Sequence, residues 1–123
     1  MTSRKPRVPK MSPESASVLQ RLFRVIEDRR INPPKKSYTT SLFEGGVPKI
    51  ASKIAEEAVE VNEAAAEDGD EGRQHLVEEA ADLVYHLLVM LAHRQVTLTD
   101  VEQVLAGRFG VSGIDEKESR SSK

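Results

Sequence analysis

Two pairs of acids carry the chemistry open to this sequence: Glu57-x-x-Glu60 and Glu79-x-x-Asp82. An i, i+3 spacing sets both members of a pair on one face of a helix. The ligands on offer are carboxylate oxygens, and the chain has no cysteine. Such hard donors select Mg²⁺, with Mn²⁺ as a substitute, over zinc. Mg²⁺ commonly binds through carboxylates plus substrate phosphates, so a phosphorylated small molecule is the natural partner. A carboxylate di-iron bundle would want Glu-x-x-His on two helices. Neither pair has His at that place.

The helical wheel shows why these acids differ from surface acids. Successive residues turn by ~100°. With Ile50 at zero, Ile54, Val61 and Ala64 fall within ~40° and define a buried stripe. Glu57 falls at about −20°, inside that stripe, and Glu60 at about −80°, on its edge. A buried carboxylate is expensive unless it is paired or binds a metal. For Glu57 alone, a core ion pair with Lys or Arg would serve equally well. The next helix decides between the two. With Leu76 at zero, Leu83, Leu87, Met90 and Leu91 lie within ~60°. Glu79 at about −60° and Asp82 at about −120° border that stripe. Tyr85 and Val89 make the opposite face apolar as well, which predicts a helix buried centrally or at an oligomer interface. Packed antiparallel, the two helices turn four carboxylates toward one site. Like charges so placed repel unless cations neutralise them.

The elements that must position these acids can be read along the chain. Residues 1–11, basic and with two prolines, are expected to be a flexible tail. Ser12-Pro13-Glu14 suits a helix start, and the first helix is placed at 13–30. Asn32-Pro33-Pro34 stops it, and 31–46 reads as a loop ending in Gly45-Gly46. At about 16 residues that loop is long enough to be functional rather than idle. The second helix is placed at 47–68, ended by Gly69, and the third at 71–94. Thr97-Leu98-Thr99-Asp100 resembles a capping box and opens a fourth helix to about 106. Gly107, Gly110 and Gly113 end the order, so one domain spans 12–107 and 108–123 is a second flexible tail. The fold class is all-α: an antiparallel bundle of about four helices, completed by dimerisation because the third helix needs more cover than three others supply.

Composition narrows the classes. The chain has 123 residues, 38% hydrophobic and 31% charged, which describes one globular domain. Only 4% are aromatic, so the core must be aliphatic. No apolar run approaches the roughly 18 residues of a membrane span. The basic start lacks the apolar stretch of a signal peptide, so the expected place is the cytoplasm. The net charge of −2 hides an asymmetry: residues 1–53 hold 12 Lys/Arg against 4 Asp/Glu, and 54–82 hold 11 acids against Arg73. Nucleic-acid binding is not expected of a chain acidic overall and without interleaved aromatics.

Lys53-Ile-Ala-Glu-Glu-Ala-Val-Glu60 followed by Glu79-Ala-Ala-Asp-Leu-Val-Tyr-His-Leu-Leu88 resembles phosphoribosyl-ATP pyrophosphohydrolase, of the all-α nucleotide pyrophosphohydrolase (MazG-like) superfamily. Ser37-Tyr38-Thr39, Leu42 and Gly46 also match that family, and the resemblance spans about 18–106. The paired acids mark the superfamily, and the Ser-Tyr-Thr segment narrows it. The resemblance implies Mg²⁺-dependent hydrolysis of phosphoribosyl-ATP to phosphoribosyl-AMP and pyrophosphate, the second step of histidine biosynthesis, by a homodimer. It implies Glu57, Glu60, Glu79 and Asp82 as metal ligands and Glu56 as a further family acid, with Glu56 and Glu57 the candidates for catalysis. The family's Gly before the double Glu is Ala55 here.

Basic and polar groups should hold the phosphates. Lys49 and Lys53 flank the acid edge at about −100° and −60°, near a helix N-terminus that favours anions. Lys35, Lys36, Tyr38 and Thr39 offer further substrate contacts, and His86 lies on the side of Glu79 and Asp82. Two other functions stand beside this one: a hydrolase of other nucleoside triphosphates, and a non-enzymatic helical interaction module with an acidic surface.

Overall fold

Ser17 starts the first helix. Its hydroxyl accepts a hydrogen bond from the Gln20 amide at 3.1 Å, and α1 runs Val18–Ile31. The computed structural model describes residues 16–110. The expected start at Ser12-Pro13-Glu14 and both tails beyond this range lie outside the described residues. Ala16 and Ser17 are not helical, so the helix begins later than the expected 13. Three more helices follow: α2 Tyr38–Ala65, α3 Gly69–His93 and α4 Leu98–Phe109. No strand occurs among the described residues, and the class is all-α.

The segment expected to be a loop over 31–46 is mostly helical. Only residues 32–37 connect α1 to α2. Ser37 caps the new helix by accepting from the Thr40 amide. Thr39, Thr40 and Leu42 then turn inward and are buried. Two of those three inward residues are threonines, so the sequence shows no apolar stripe there. At Gly46, φ is 71° and ψ is −165°, and the helix breaks. The contacts on its two sides both fall on α3. Tyr38 meets His86 and Phe43 meets His93, whereas the Glu57 carboxylate meets those of Glu79 and Asp82. Residues 38–45 therefore ascend α3 and residues 47–65 descend it. Pro48 sits in the first turn after the break, where its missing N–H costs nothing. Only glycine adopts the Gly46 conformation without strain, so Gly46→Ala is expected to destabilise by about 1–3 kcal/mol in denaturant unfolding.

The second stretch of α2 keeps the expected stripe, with Ile50, Glu57 and Ala64 buried. It ends at Ala65 rather than 68, and Asp68 becomes the N-cap of α3. On α3 the buried face is the one expected to be secondary. His86, Leu88, Val89 and Ala92 are covered, while Leu87 is 44% exposed. The helix is apolar on both sides, and α2 and α1 cover the Val89 side. The core is Phe23 and Ile26 of α1, Leu42 and Ile50 of α2, Leu88, Val89 and Ala92 of α3, and Leu98.

The capping box forms: the Thr97 hydroxyl accepts from the Asp100 amide at 3.0 Å, and the Asp100 carboxylate accepts from the Thr97 amide at 3.2 Å. α4 then runs past the expected boundary at 107, through Gly107, to Phe109. A single exposed glycine costs a helix only about 1 kcal/mol. The left-handed residue that ends it is Gly110, with φ 59°.

Candidate active site

Antiparallel packing of residues 47–65 against α3 brings the two acid pairs together. One carboxylate oxygen each from Glu57, Glu79 and Asp82 lies within 4.8 Å of the others. Glu60 joins through Glu79. The closeness of these two carboxyls raises the pKa of Glu60 and lowers that of Glu79. Glu57 is 7% exposed. Burial, the adjoining Glu79 carboxyl and the charges of Glu60 and Asp82 push its carboxyl from 4.5 up to about 7.

The buried oxygens Glu57 Oε1 and Glu79 Oε1 have no hydrogen-bond partner. No Lys or Arg forms an ion pair with the cluster among the described residues. A core ion pair for Glu57 is thereby replaced by a crowd of like charges. Orphaned carboxylate oxygens around one point fit a hard divalent cation bound through oxygen.

Glu56, one residue away, lies outside this group of three. It is exposed and pairs with Lys53 at 3.1 Å. The bond from the Lys53 ammonium to Glu56 raises the lysine's pKa, so Lys53 stays charged. Lys53, Glu56 and Glu57 all lie close enough to Tyr38 to act on its phenol. The fold at Gly46 thus returns Tyr38 to the acid site.

Tyr38 is anchored by its hydroxyl. His86 is buried, 4% exposed. Its Nδ1 lies 2.8 Å from the Asp82 carbonyl and its Nε2 lies 2.8 Å from the Tyr38 hydroxyl. A carbonyl only accepts, so Nδ1 carries the proton. Nε2 then accepts from Tyr38. The Tyr38 ring packs beside Tyr85 at 6.2 Å between centroids, and Thr39 bonds the Tyr85 hydroxyl. His86 and Thr39 therefore have their polar atoms engaged within the fold, and half-exposed Tyr38 presents its ring toward solvent. Lys35, Lys36 and Lys49 are exposed and form no ion pair among the described residues.

Two residues to which the sequence reading gave no role stand beside these groups. His75 bonds Glu67 at 3.0 Å and Glu79 at 3.2 Å. Its wheel position on the side of Glu79 and Asp82, four residues before Glu79, was the signal. Tyr85, read as apolar cover, contributes its hydroxyl to Thr39.

Comparison with known proteins identifies the family. The model of the phosphoribosyl-ATP pyrophosphohydrolase family matches residues 19–109. A phosphoribosyl-ATP pyrophosphatase of Rhodopirellula baltica is 47% identical over 111 residues, covering 90% of this chain and 92% of that protein. The one from Paramagnetospirillum magneticum is 47% identical, covering 89% of this chain and 98% of its own. The one from Cereibacter sphaeroides is 50% identical, covering 85% and 98%. A match over nearly the whole described chain, at this identity and around these paired acids, means that the chain belongs to the phosphoribosyl-ATP pyrophosphohydrolase family.

Proposed function

We propose that the chain hydrolyses the α–β phosphoanhydride of phosphoribosyl-ATP, giving phosphoribosyl-AMP and pyrophosphate, the second step of histidine biosynthesis. The observation that carries this reading is the acid cluster with two orphaned carboxylate oxygens, in a chain of this family. Glu57, Glu60, Glu79 and Asp82 are the residues to hold Mg²⁺, or Mn²⁺ in its place. When bound, the cation neutralises the polyphosphate and makes a coordinated water acidic.

The chain's own groups divide the remaining work. Lys53, beside Tyr38 and the acids, is placed to take up a substrate phosphate. Doing so would draw its ammonium off Glu56 and leave that carboxylate free to accept a proton from the attacking water. Glu57 is the second acid assigned to catalysis. Tyr38 and Thr39 are the further residues assigned to substrate contact, with His86 holding the Tyr38 hydroxyl. Lys49, Lys35 and Lys36 supply positive charge for the outer phosphates. In this reading the enzyme works in the cytoplasm. No helix among the described residues is long and apolar enough to cross a membrane.

A homodimer completes the fold in this reading. Leu87 on α3 and Val104, Leu105 and Phe109 on α4 remain exposed, and α4 makes few contacts with the rest of the chain. Light scattering is expected to give twice the chain mass; a stable monomer at micromolar concentration contradicts it. The pathway step is tested by expression in a histidine auxotroph that lacks this hydrolase. Growth without histidine is expected, and failure of a well-expressed chain to restore it counts against the assignment.

A further inference from the structure

His75 stands between two carboxylates. Its Nδ1 lies 3.0 Å from both oxygens of Glu67, and its Nε2 lies 3.2 Å from Glu79 Oε2. A neutral imidazole has one N–H and could donate to only one of them. With acceptors at both nitrogens, the ring is held from both sides.

This placement is built into the turn between α2 and α3. Glu67 lies in that turn, between the last residue of α2 and the Asp68 cap. Its backbone presses onto Gly72 so closely that a Cβ there would stand 2.6 Å from the Glu67 carbonyl oxygen. Only the missing side chain of Gly72 allows the approach, and the approach sets Glu67 one helical turn ahead of His75. The consequence falls on Glu79, one of the three acids of the cluster. His75 occupies its Oε2, while the other oxygen, Oε1, is buried without a partner.

We propose that His75 is a positioning residue: clamped between Glu67 and Glu79, it fixes the Glu79 carboxylate with Oε1 left free for the divalent cation. The proposal rests on the acid cluster being the cation site. A carboxylate ligand held by an outer hydrogen bond needs no reorientation when the cation arrives. His75 itself touches neither the cation nor the substrate.

The test is Mn²⁺ binding to the purified full chain, followed by calorimetry, beside turnover as a function of Mg²⁺ concentration. Three variants are compared with the parent: His75→Ala, His75→Gln and Glu79→Gln. His75 is a partly exposed helical position, and alanine is a good helix former there, so His75→Ala is expected to melt at the parent temperature. It is expected to bind Mn²⁺ about tenfold more weakly. Its kcat at saturating Mg²⁺ should stay close to the parent's, with the loss confined to the Mg²⁺ concentration needed. His75→Gln keeps an N–H donor near the place of Nε2 and should recover most of the affinity. Parent-like Mn²⁺ binding by His75→Ala, or Gln behaving no better than Ala, overturns the proposal. If Glu79→Gln loses Mn²⁺ while His75→Ala does not, the positioning role alone fails. If the parent binds no Mn²⁺, the cation site fails and the proposal with it.

Discussion

Glu57→Gln will lower turnover by about a thousandfold, equivalent to about 4 kcal/mol of barrier, and leave the fold intact. The two parts of this expectation have one cause. Glu57 sits in the apolar stripe between Ile50 and Ala64, 7% exposed, with two further carboxylates within 4.8 Å. Without a cation, that crowd is a burden on the fold, because buried Glu57 lacks its water and is repelled by half-buried Glu79 and exposed Asp82. A neutral amide of the same shape relieves the repulsion while withdrawing an anionic ligand. Metal-free Glu57→Gln should therefore melt at or above the parent temperature at pH 8. A variant that unfolds would show instead that Glu57 serves the core. Parent-like turnover would remove Glu57 from the site.

Divalent-cation affinity will rise about tenfold between pH 6 and pH 8 as Glu57 gives up its proton. Burial and the neighbouring acids hold this carboxyl near 7 in the folded chain, against 4.5 for an ordinary one. Between these values the folded state carries a proton that the unfolded state has released. Stability of the metal-free protein therefore falls, in Glu57's share, as pH rises from 4.5 to 7, and levels off above it. The cation competes for the deprotonated form, so its binding moves the opposite way. Calorimetric titration with Mn²⁺ at several pH values measures the slope, and Glu57→Gln should remove most of it. A flat profile in the parent would mean that the carboxyl is ionised throughout.

Much of this site was legible because period 3.6 and chemistry conflict at one residue. A glutamate in register with Ile50, Ile54 and Ala64 cannot be ordinary surface, and the structure buries it. The pairing of its helix with the one carrying Glu79 and Asp82 followed from a short turn. Other features could not be read in one dimension. Residues 38–45 bury threonines, which no apolar pattern marks, and the reversal at Gly46 depends on a dihedral angle rather than a composition. α3 offers two apolar faces, and only the packing shows that α2 and α1 take the Val89 side and leave Leu87 out. His86 was placed near the acids by the wheel. Its engagement by the Asp82 carbonyl and the Tyr38 hydroxyl required the fold. His75 reaches Glu67 only because Gly72 has no side chain.

The most direct measurement is pyrophosphate release from phosphoribosyl-ATP by the purified chain, with Mg²⁺ and with a chelator, beside a panel of nucleoside and deoxynucleoside triphosphates. Hydrolysis that needs the cation, favours phosphoribosyl-ATP over every member of the panel and is lost in Glu57→Gln is the expected result. Preference for a deoxynucleotide would move the chain to a different substrate. No cation-dependent hydrolysis of any nucleotide would contradict the enzymatic reading of the acid cluster.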